Sequence, residues 1–121
     1  MRWEVRFCVE FDAEFYDLNS GVQVELLACT ELLACFGPSL GRPRVDTLNG
    51  SKHTNMKELR FHADGGVWRI AFAFDPQRKA VLLIAGNKAG TKQRQFYRSL
   101  ITTADRWFDA HLRKIARQLL N

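Results

Sequence analysis

Hydrophobic and polar residues alternate along several short stretches of the chain, and each of these stretches predicts a strand. RWEVRFCVEF, residues 2–11, places Trp3, Val5, Phe7 and Val9 on one side and mainly polar residues on the other, which is typical of a strand covered on one face. Residues 57–63 and 67–74 alternate in the same way around a glycine-rich turn, so they predict a β-hairpin. Residues 79–88, KAVLLIAGNK, are mostly apolar, as expected of a central strand.

A second periodicity, of three to four residues, predicts helices towards both ends of the chain. The acidic and aromatic segment DAEFYDL, residues 12–18, predicts a short helix. A longer amphipathic helix follows from Ser20, a suitable N-cap, to Phe36, where Gly37-Pro38 ends it. From about Gln93 to the end of the chain, apolar residues recur at helical spacing and predict a long final helix.

Between the amphipathic helix and the hairpin, residues 38–55 are rich in proline, glycine and asparagine and predict a long connecting loop. Leu40, Val45 and Leu48 are placed to attach this loop to the core. The order of elements predicts one α+β domain over residues 1–121, with a small, mostly antiparallel sheet, amino-terminal helices and a long carboxyl-terminal helix. If the helices cover one face of the sheet, the other face stays open.

Charge is distributed unevenly along the chain, whose net charge is +5. Residues 1–55 contain 5 Lys/Arg against 8 Asp/Glu, whereas residues 56–121 contain 13 against 5. A basic half of this kind suggests a surface that faces a polyanion such as a nucleic acid. The alternative is a solvated basic face without a ligand.

Composition also excludes several classes of site. Cys8, Cys29 and Cys35 match no metal-binding or disulfide pattern, so we expect free, buried thiols, and neither a metal nor a cofactor. The longest apolar run, Ala80–Ala85, is far shorter than a membrane span, and the amino terminus lacks a signal-peptide layout. The sequence therefore predicts a cytoplasmic protein with no membrane partner.

Two arginines carry the strongest chemical signal. The hairpin should place Arg60 opposite Arg69, with His62 on the same face. Like charges at cross-strand distance are destabilising unless an anion lies between them, and paired guanidinium groups suit phosphate. The alternative is that Arg60 pairs with Glu58 or Asp64, that Arg69 points to solvent, and that nothing binds.

Further polar residues extend this basic neighbourhood towards the last helix. Lys88 ends the third predicted strand, and Lys92 and Arg94 precede and open the helix. Tyr97, among these cations, could stack on a base, or its phenolic pKa could be lowered towards use as a general base. Alternatively, Tyr97 belongs to the core beside Phe96.

The order of these motifs resembles a known family. ELR on one strand, WRI on the next, an apolar strand ending in AGNK and a helix starting near FY resemble the RelE/ParE superfamily of type II toxins. Within it, the segment from Met56 to Leu112 is similar to the HigB-like branch related to phage-derived proteins. The resemblance covers about half of the chain, and its specificity lies in the order of short motifs.

The resemblance implies a metal-independent, ribosome-dependent mRNA endonuclease in which the ribose 2′-hydroxyl attacks the adjacent phosphate. By the same resemblance, Arg69 stabilises the phosphorane and Arg60 contacts RNA. Lys88 matches a basic residue at the end of the last strand, and Tyr97 acts as base or stacks on the substrate. His62, or His53 in the loop, could replace Tyr97 as the base. The predicted catalytic residues are therefore Arg69, Arg60, Lys88, Tyr97 and His62, and the predicted RNA-binding residues are Lys57, Lys92, Arg94 and Arg98.

The resemblance also implies partners. Toxins of this kind are neutralised by a cognate antitoxin, here expected to be a helix-turn-helix, HigA-like protein, and they act on mRNA in the ribosomal A site. Two alternatives remain at this stage: a ParE-like inhibitor of DNA gyrase, and a non-catalytic relative that binds nucleic acid.

Overall fold

A computed structural model describes residues 2–120 and shows one α+β unit. Three helices and five strands make up the fold, together with one short 3₁₀ turn at Gly37–Ser39. In chain order they are β1 (Glu4–Phe7), α1 (Val9–Phe15), α2 (Ser20–Phe36), β2 (Val45–Thr47), β3 (Met56–Ala63), β4 (Gly66–Phe74), β5 (Lys79–Asn87) and α3 (Gln93–Leu120). The predicted fold class is confirmed.

The five strands form one sheet in the order β1-β5-β4-β3-β2. β5, β4, β3 and β2 are antiparallel neighbours, whereas β1 runs parallel to β5. The predicted hairpin forms around Asp64 and Gly65, which adopt φ of 51° and 74°. Glycine and aspartate tolerate this left-handed backbone, which explains why the turn falls there.

One face of the sheet is covered by the amino-terminal helices. Val22, Leu26, Cys29 and Leu33 are almost completely buried along one side of α2 and belong to the same core as Leu59 of β3. By length and apolar composition alone, the segment Ser20–Ser39 would also suit a membrane span. The burial of one stripe against the sheet is, however, the pattern of a helix in a globular core.

The opposite face is covered too, and the expectation that it stays open is wrong. Helix α3 crosses the β4 and β5 part of this face and buries Phe96, Leu100, Ala104 and Phe108. A Cβ at Gly86 of β5 would lie 2.9 Å from the ring of Phe96, so only glycine permits this close approach. The amphipathic helix has a continuous apolar stripe, and the second sheet face is the surface that buries it.

The first predicted strand is shorter than the alternating pattern suggested. β1 ends at Phe7, and α1 begins at Val9, a residue that is 63% exposed instead of lying on the apolar face. Cys8 and Cys29 are buried as expected, but Cys35 is exposed on α2. The prediction of three buried thiols is therefore wrong for Cys35, because its position faces away from the sheet.

The long loop contains a strand that the sequence did not predict. β2 pairs with β3 through Val45 and Leu59, and Val45 and Leu48 are buried as the predicted anchors. The loop is also fixed to α3, because the Ser51 hydroxyl bonds Asp105 at 2.5 Å and His53 Nε2 lies 2.8 Å from a carboxylate oxygen of the next helical turn. Residues 46–49 of this segment consequently line a cleft beside Arg60 on β3.

Candidate functional site

Strand register places the two arginines opposite each other. Arg60 of β3 and Arg69 of β4 are cross-strand partners in the antiparallel ladder. Their side chains differ in access: the Arg60 side chain is 42% exposed, whereas that of Arg69 is 12% exposed. The pairing that the sequence predicted is confirmed, although Arg69 is shielded and does not stand on an open surface.

The anion between the two guanidinium groups is a residue of the protein itself. Glu58 lies two positions before Arg60 on the same face of β3 and is only 4% exposed. Its Oε1 atom is 3.2 Å from Arg60 Nε and 3.7 Å from Arg69 Nε. The pairing of Arg60 with Glu58, one of the alternatives, is thus present. Glu58 did not stand out in the sequence as a site residue, because a carboxylate two positions from an arginine on a strand is equally typical of a solvated surface ion pair.

Tyr97 completes a hydrogen-bonded cluster. Its hydroxyl accepts a bond from Arg69 Nε at 2.7 Å and donates one to Glu58 Oε1 at 2.8 Å. Burial, followed by the bond to Glu58, raises the pKa of Tyr97. The suggestion that this pKa is lowered is therefore wrong: the phenol stays protonated and acts as a connector between guanidinium and carboxylate.

Aromatic rings hold Arg69 in place. Its Cζ atom lies 5.7 Å from the ring centroids of both Phe96 and Tyr97, within the range of cation–π contacts. The two rings meet edge to face with centroids 5.2 Å apart. The apolar ring of Tyr97 thus packs against the core, whereas its hydroxyl is hydrogen-bonded within the polar cluster.

Two concave surfaces give access to this cluster. A cleft of about 260 Å³ is lined by Glu58, Arg60 and Tyr97 together with the β2 segment. A larger cavity of about 490 Å³ is lined by Arg60, His62, Arg69 and Arg44. The second volume suits a ligand group of nucleotide size.

Arg44 was missed from the sequence. It lies in the segment GRPR just before β2, and its backbone carbonyl accepts the N–H of Arg60 at 2.8 Å. That contact brings Arg44 to the lining of the larger cavity, with its guanidinium Nη1 atom 3.8 Å from Cys29 Sγ of α2. The only signal was two arginines in a loop, and nothing local showed that the loop pairs with β3.

The other predicted residues are distributed around this core of the site. His62 is exposed and lines the larger cavity. Lys88 Nζ lies 3.4 Å from a carboxamide oxygen at the start of α3. Lys92, Arg94 and Arg98 are exposed beside or on the first turns of that helix.

Two predicted residues lie away from the cluster. Lys57 alternates with Glu58 and Arg60 along β3, so it lies on the opposite sheet face. His53 contacts Asp109 and the ring of Phe108 instead of the arginines. Among residues 2–120, no three His, Cys, Asp or Glu side chains converge to hold a metal ion.

The fold has a counterpart among solved structures. A free-state mutant of the Escherichia coli toxin RelE superposes with a TM-score of 0.57 at 13% identity, covering 84% of this chain and 96% of that one. A likeness at this identity defines the class of fold, which is RelE-like: a small sheet between amino-terminal helices and a long last helix.

The family follows from sequence comparison. Residues 13–109 match the model of the family described as phage derived protein Gp49-like (DUF891). The putative toxin HigB2 of Mycobacterium tuberculosis is 48% identical over 102 residues, which are 84% of this chain and 47% of that protein. The putative toxin HigB3 of the same organism is 46% identical over 91 residues, 75% of this chain and 77% of that protein. The chain belongs to the Gp49-like family, and it spans about half the length of the first of these relatives.

Proposed function

We propose that this protein is the toxin of a type II toxin–antitoxin pair and that it is an endoribonuclease acting on mRNA. The relatives in M. tuberculosis are named putative toxins, and the RelE-like fold supports the same class. The observation that carries the proposal is the cluster of Arg60, Arg69, Glu58 and Tyr97, in which two guanidinium groups share one buried carboxylate. The site of action would be the cytoplasm, with a cognate, HigA-like antitoxin as partner.

The resting cluster suggests how RNA is bound. Glu58 offsets one of the two positive charges of the arginine pair, and its hydrogen bond and charge raise the pKa of the Arg60 guanidinium. A phosphodiester entering from the exposed side of Arg60 offers the arginines an equivalent anion. The phosphate then takes the place of the carboxylate as the partner of Arg60, and Arg69 remains held by Tyr97 and the aromatic rings.

The chemistry that fits this arrangement is internal transesterification. The ribose 2′-oxygen bonds to phosphorus, the bond from phosphorus to the 5′-oxygen breaks, and a 2′,3′-cyclic phosphate and a 5′-hydroxyl result. Glu58, released from Arg60, accepts the 2′ proton, while the guanidinium groups stabilise the charge on the phosphorane oxygens. His62 lines the same cavity, and imidazole readily gives a proton to a leaving oxygen near neutral pH.

Arg69→Ala and Arg69→Lys test the proposal. Controlled expression of the wild-type protein should arrest growth, and primer extension on total RNA should show cuts within translated messages. Arg69→Ala should abolish both effects. Arg69→Lys keeps the charge and controls for misfolding; it should stay folded by circular dichroism and lose most of the cleavage, because lysine lacks the planar donor fork.

Two other outcomes would replace the proposal. Growth arrest with DNA-damage signalling and no RNA cuts would indicate a gyrase inhibitor. Tight RNA binding without cleavage by the purified protein, with or without ribosomes, would indicate a non-catalytic relative. Cleavage that requires ribosomes would support the action in the ribosomal A site.

A further inference from the structure

In the described part of the chain, the outer edge of β5 has no strand partner beyond the point where β1 ends. β1 pairs with β5 only from Lys79 to Leu82, and the chain then enters α1. Within residues 2–120, the segment 84–87 therefore pairs with β4 on one side only. Alternate backbone N–H and C=O groups of this segment point away from β4, and an unpaired edge of this kind is a template for another strand.

A groove runs beside this free edge. It has a volume of about 310 Å³ and lies between residues 84–86 and one side of α3. Polar side chains, Gln95 and the smaller Ser99 and Thr103, form the helical wall, and Phe96 and Leu100 contribute apolar surface. An added strand would place every second side chain in the groove, and the small helical residues leave room for those side chains.

The charges around the groove select the occupant. Lys92, which immediately precedes α3, and Arg106 extend this stripe at its two ends by helical spacing, and both are exposed. The carboxylates on this part of α3 have partners in the loop before β3 and not in the groove: Asp105 accepts a hydrogen bond from Ser51, and Asp109 contacts His53. A second copy of this chain would bring like charges together at the edge, whereas an acidic segment would be attracted.

We propose that the free edge of β5 and the adjoining groove bind an extended acidic peptide segment as an additional strand. Backbone hydrogen bonds to the edge supply register, and side chains in the groove with carboxylates near Lys92 and Arg106 supply selectivity. The arginine cluster lies on the other side of α3, where Tyr97 faces β3. The two sites share Phe96, which lines the groove and also contacts the Arg69 guanidinium, but Ser99 lines the groove and neither cavity of the arginine cluster.

A labelled peptide of alternating valine and glutamate is the probe. Fluorescence anisotropy with the wild-type protein should give saturable binding. Ser99→Trp, which fills the groove, and Arg106→Glu, which reverses one charge, should each weaken binding by at least about tenfold. Lys114→Glu is the matched control: it carries the same charge change about 12 Å further along the exposed helix and should bind the peptide as the wild type does.

Backbone pairing is tested separately. The same peptide with alternate amides N-methylated should not bind, and hydrogen exchange at residues 84–86 should slow when the unmodified peptide is bound. Equal binding of the methylated peptide, or no saturation at about millimolar concentration, would overturn the proposal. Displacement of the bound peptide by a short single-stranded RNA, with the same loss in Arg106→Glu, would assign the groove to RNA and refute the peptide site.

Discussion

Replacing Glu58 by glutamine changes one charge at the centre of the site and keeps the shape of the side chain. In the folded protein Glu58 is the shared partner of Arg60, Arg69 and the Tyr97 hydroxyl. The amide oxygen of glutamine can still accept one of these bonds. The positive charges of the two arginines, however, lose their counter-ion.

The expected cost to stability follows from burial. Removing one partner of a buried ion pair costs about 3–5 kcal/mol, and an exposed pair contributes at most about 1 kcal/mol. Arg69 is largely buried, Arg60 is 42% exposed, and glutamine retains part of the hydrogen bonding. We therefore expect Glu58→Gln to lower the free energy of unfolding by about 2–3 kcal/mol, which lowers Tm by about 10 °C for a domain of this size.

The same substitution should separate RNA binding from RNA cleavage. Loss of the internal anion should increase affinity for a non-cleavable RNA by about fivefold, equivalent to about 1 kcal/mol. Loss of the proton acceptor should lower the cleavage rate by about 10²–10⁴-fold. Chemical denaturation, filter binding and single-turnover cleavage measure the three effects on one preparation.

Glu14→Gln is the control for this experiment. Glu14 lies on α1, is exposed, lines neither cavity of the arginine cluster, and undergoes the same chemical change. It should alter stability by less than about 0.5 kcal/mol and leave the cleavage rate unchanged. If Glu58→Gln cleaved RNA at the wild-type rate with unchanged affinity, Glu58 would be neither counter-ion nor base, and the proposed reaction would fail.

The remaining predictions concern packing, thiols and the phenol. Gly86→Ala should destabilise the fold by about 1–3 kcal/mol in a denaturant titration, because the new Cβ meets the ring of Phe96 at 2.9 Å. At neutral pH a thiol reagent should label the exposed Cys35 and not Cys8, because burial raises the pKa of the Cys8 thiol from 9.0 to about 11. As the pH rises through that interval, the Cys8 thiol ionises first in the unfolded chain, so the free energy of unfolding should fall. Tyr97→Phe should lower the free energy of unfolding by about 1–2 kcal/mol and slow cleavage, while the pH–rate profile of cleavage keeps its shape. A profile that lost its basic limb would show instead that Tyr97 is the proton acceptor.

Several elements were determined by local sequence alone. Period-two alternation on both sides of Asp64 and Gly65 defines the hairpin, and its register necessarily places Arg60 opposite Arg69. Gly37 adopts φ of 54° and ends α2 where the sequence predicted. These features depend on neighbouring residues, so short-range patterns are sufficient to predict them.

The function of the arginine pair was not determined in this way. The sequence shows two cations, but the tertiary structure decides that Glu58 lies between them and that Tyr97, from a helix 39 positions away along the chain, closes the cluster. It also decides that Tyr97 stays protonated, because desolvation and a carboxylate depend on what packs around the hydroxyl. Likewise, only the packed fold brings Arg44 to the site.

By itself, the sequence determined β3, β4 and β5, helices α2 and α3, and the sheet face on which Arg60 and Arg69 lie, since each follows from a repeat of two or of about four residues. Only the tertiary structure decided that α3 covers the second sheet face and that β2 forms in the loop. It also decided that part of β5 keeps an edge to which no other strand of the described chain, residues 2–120, is paired. The physical reason is that alternation shows which side of an element is apolar, but not which distant apolar surface packs against that side.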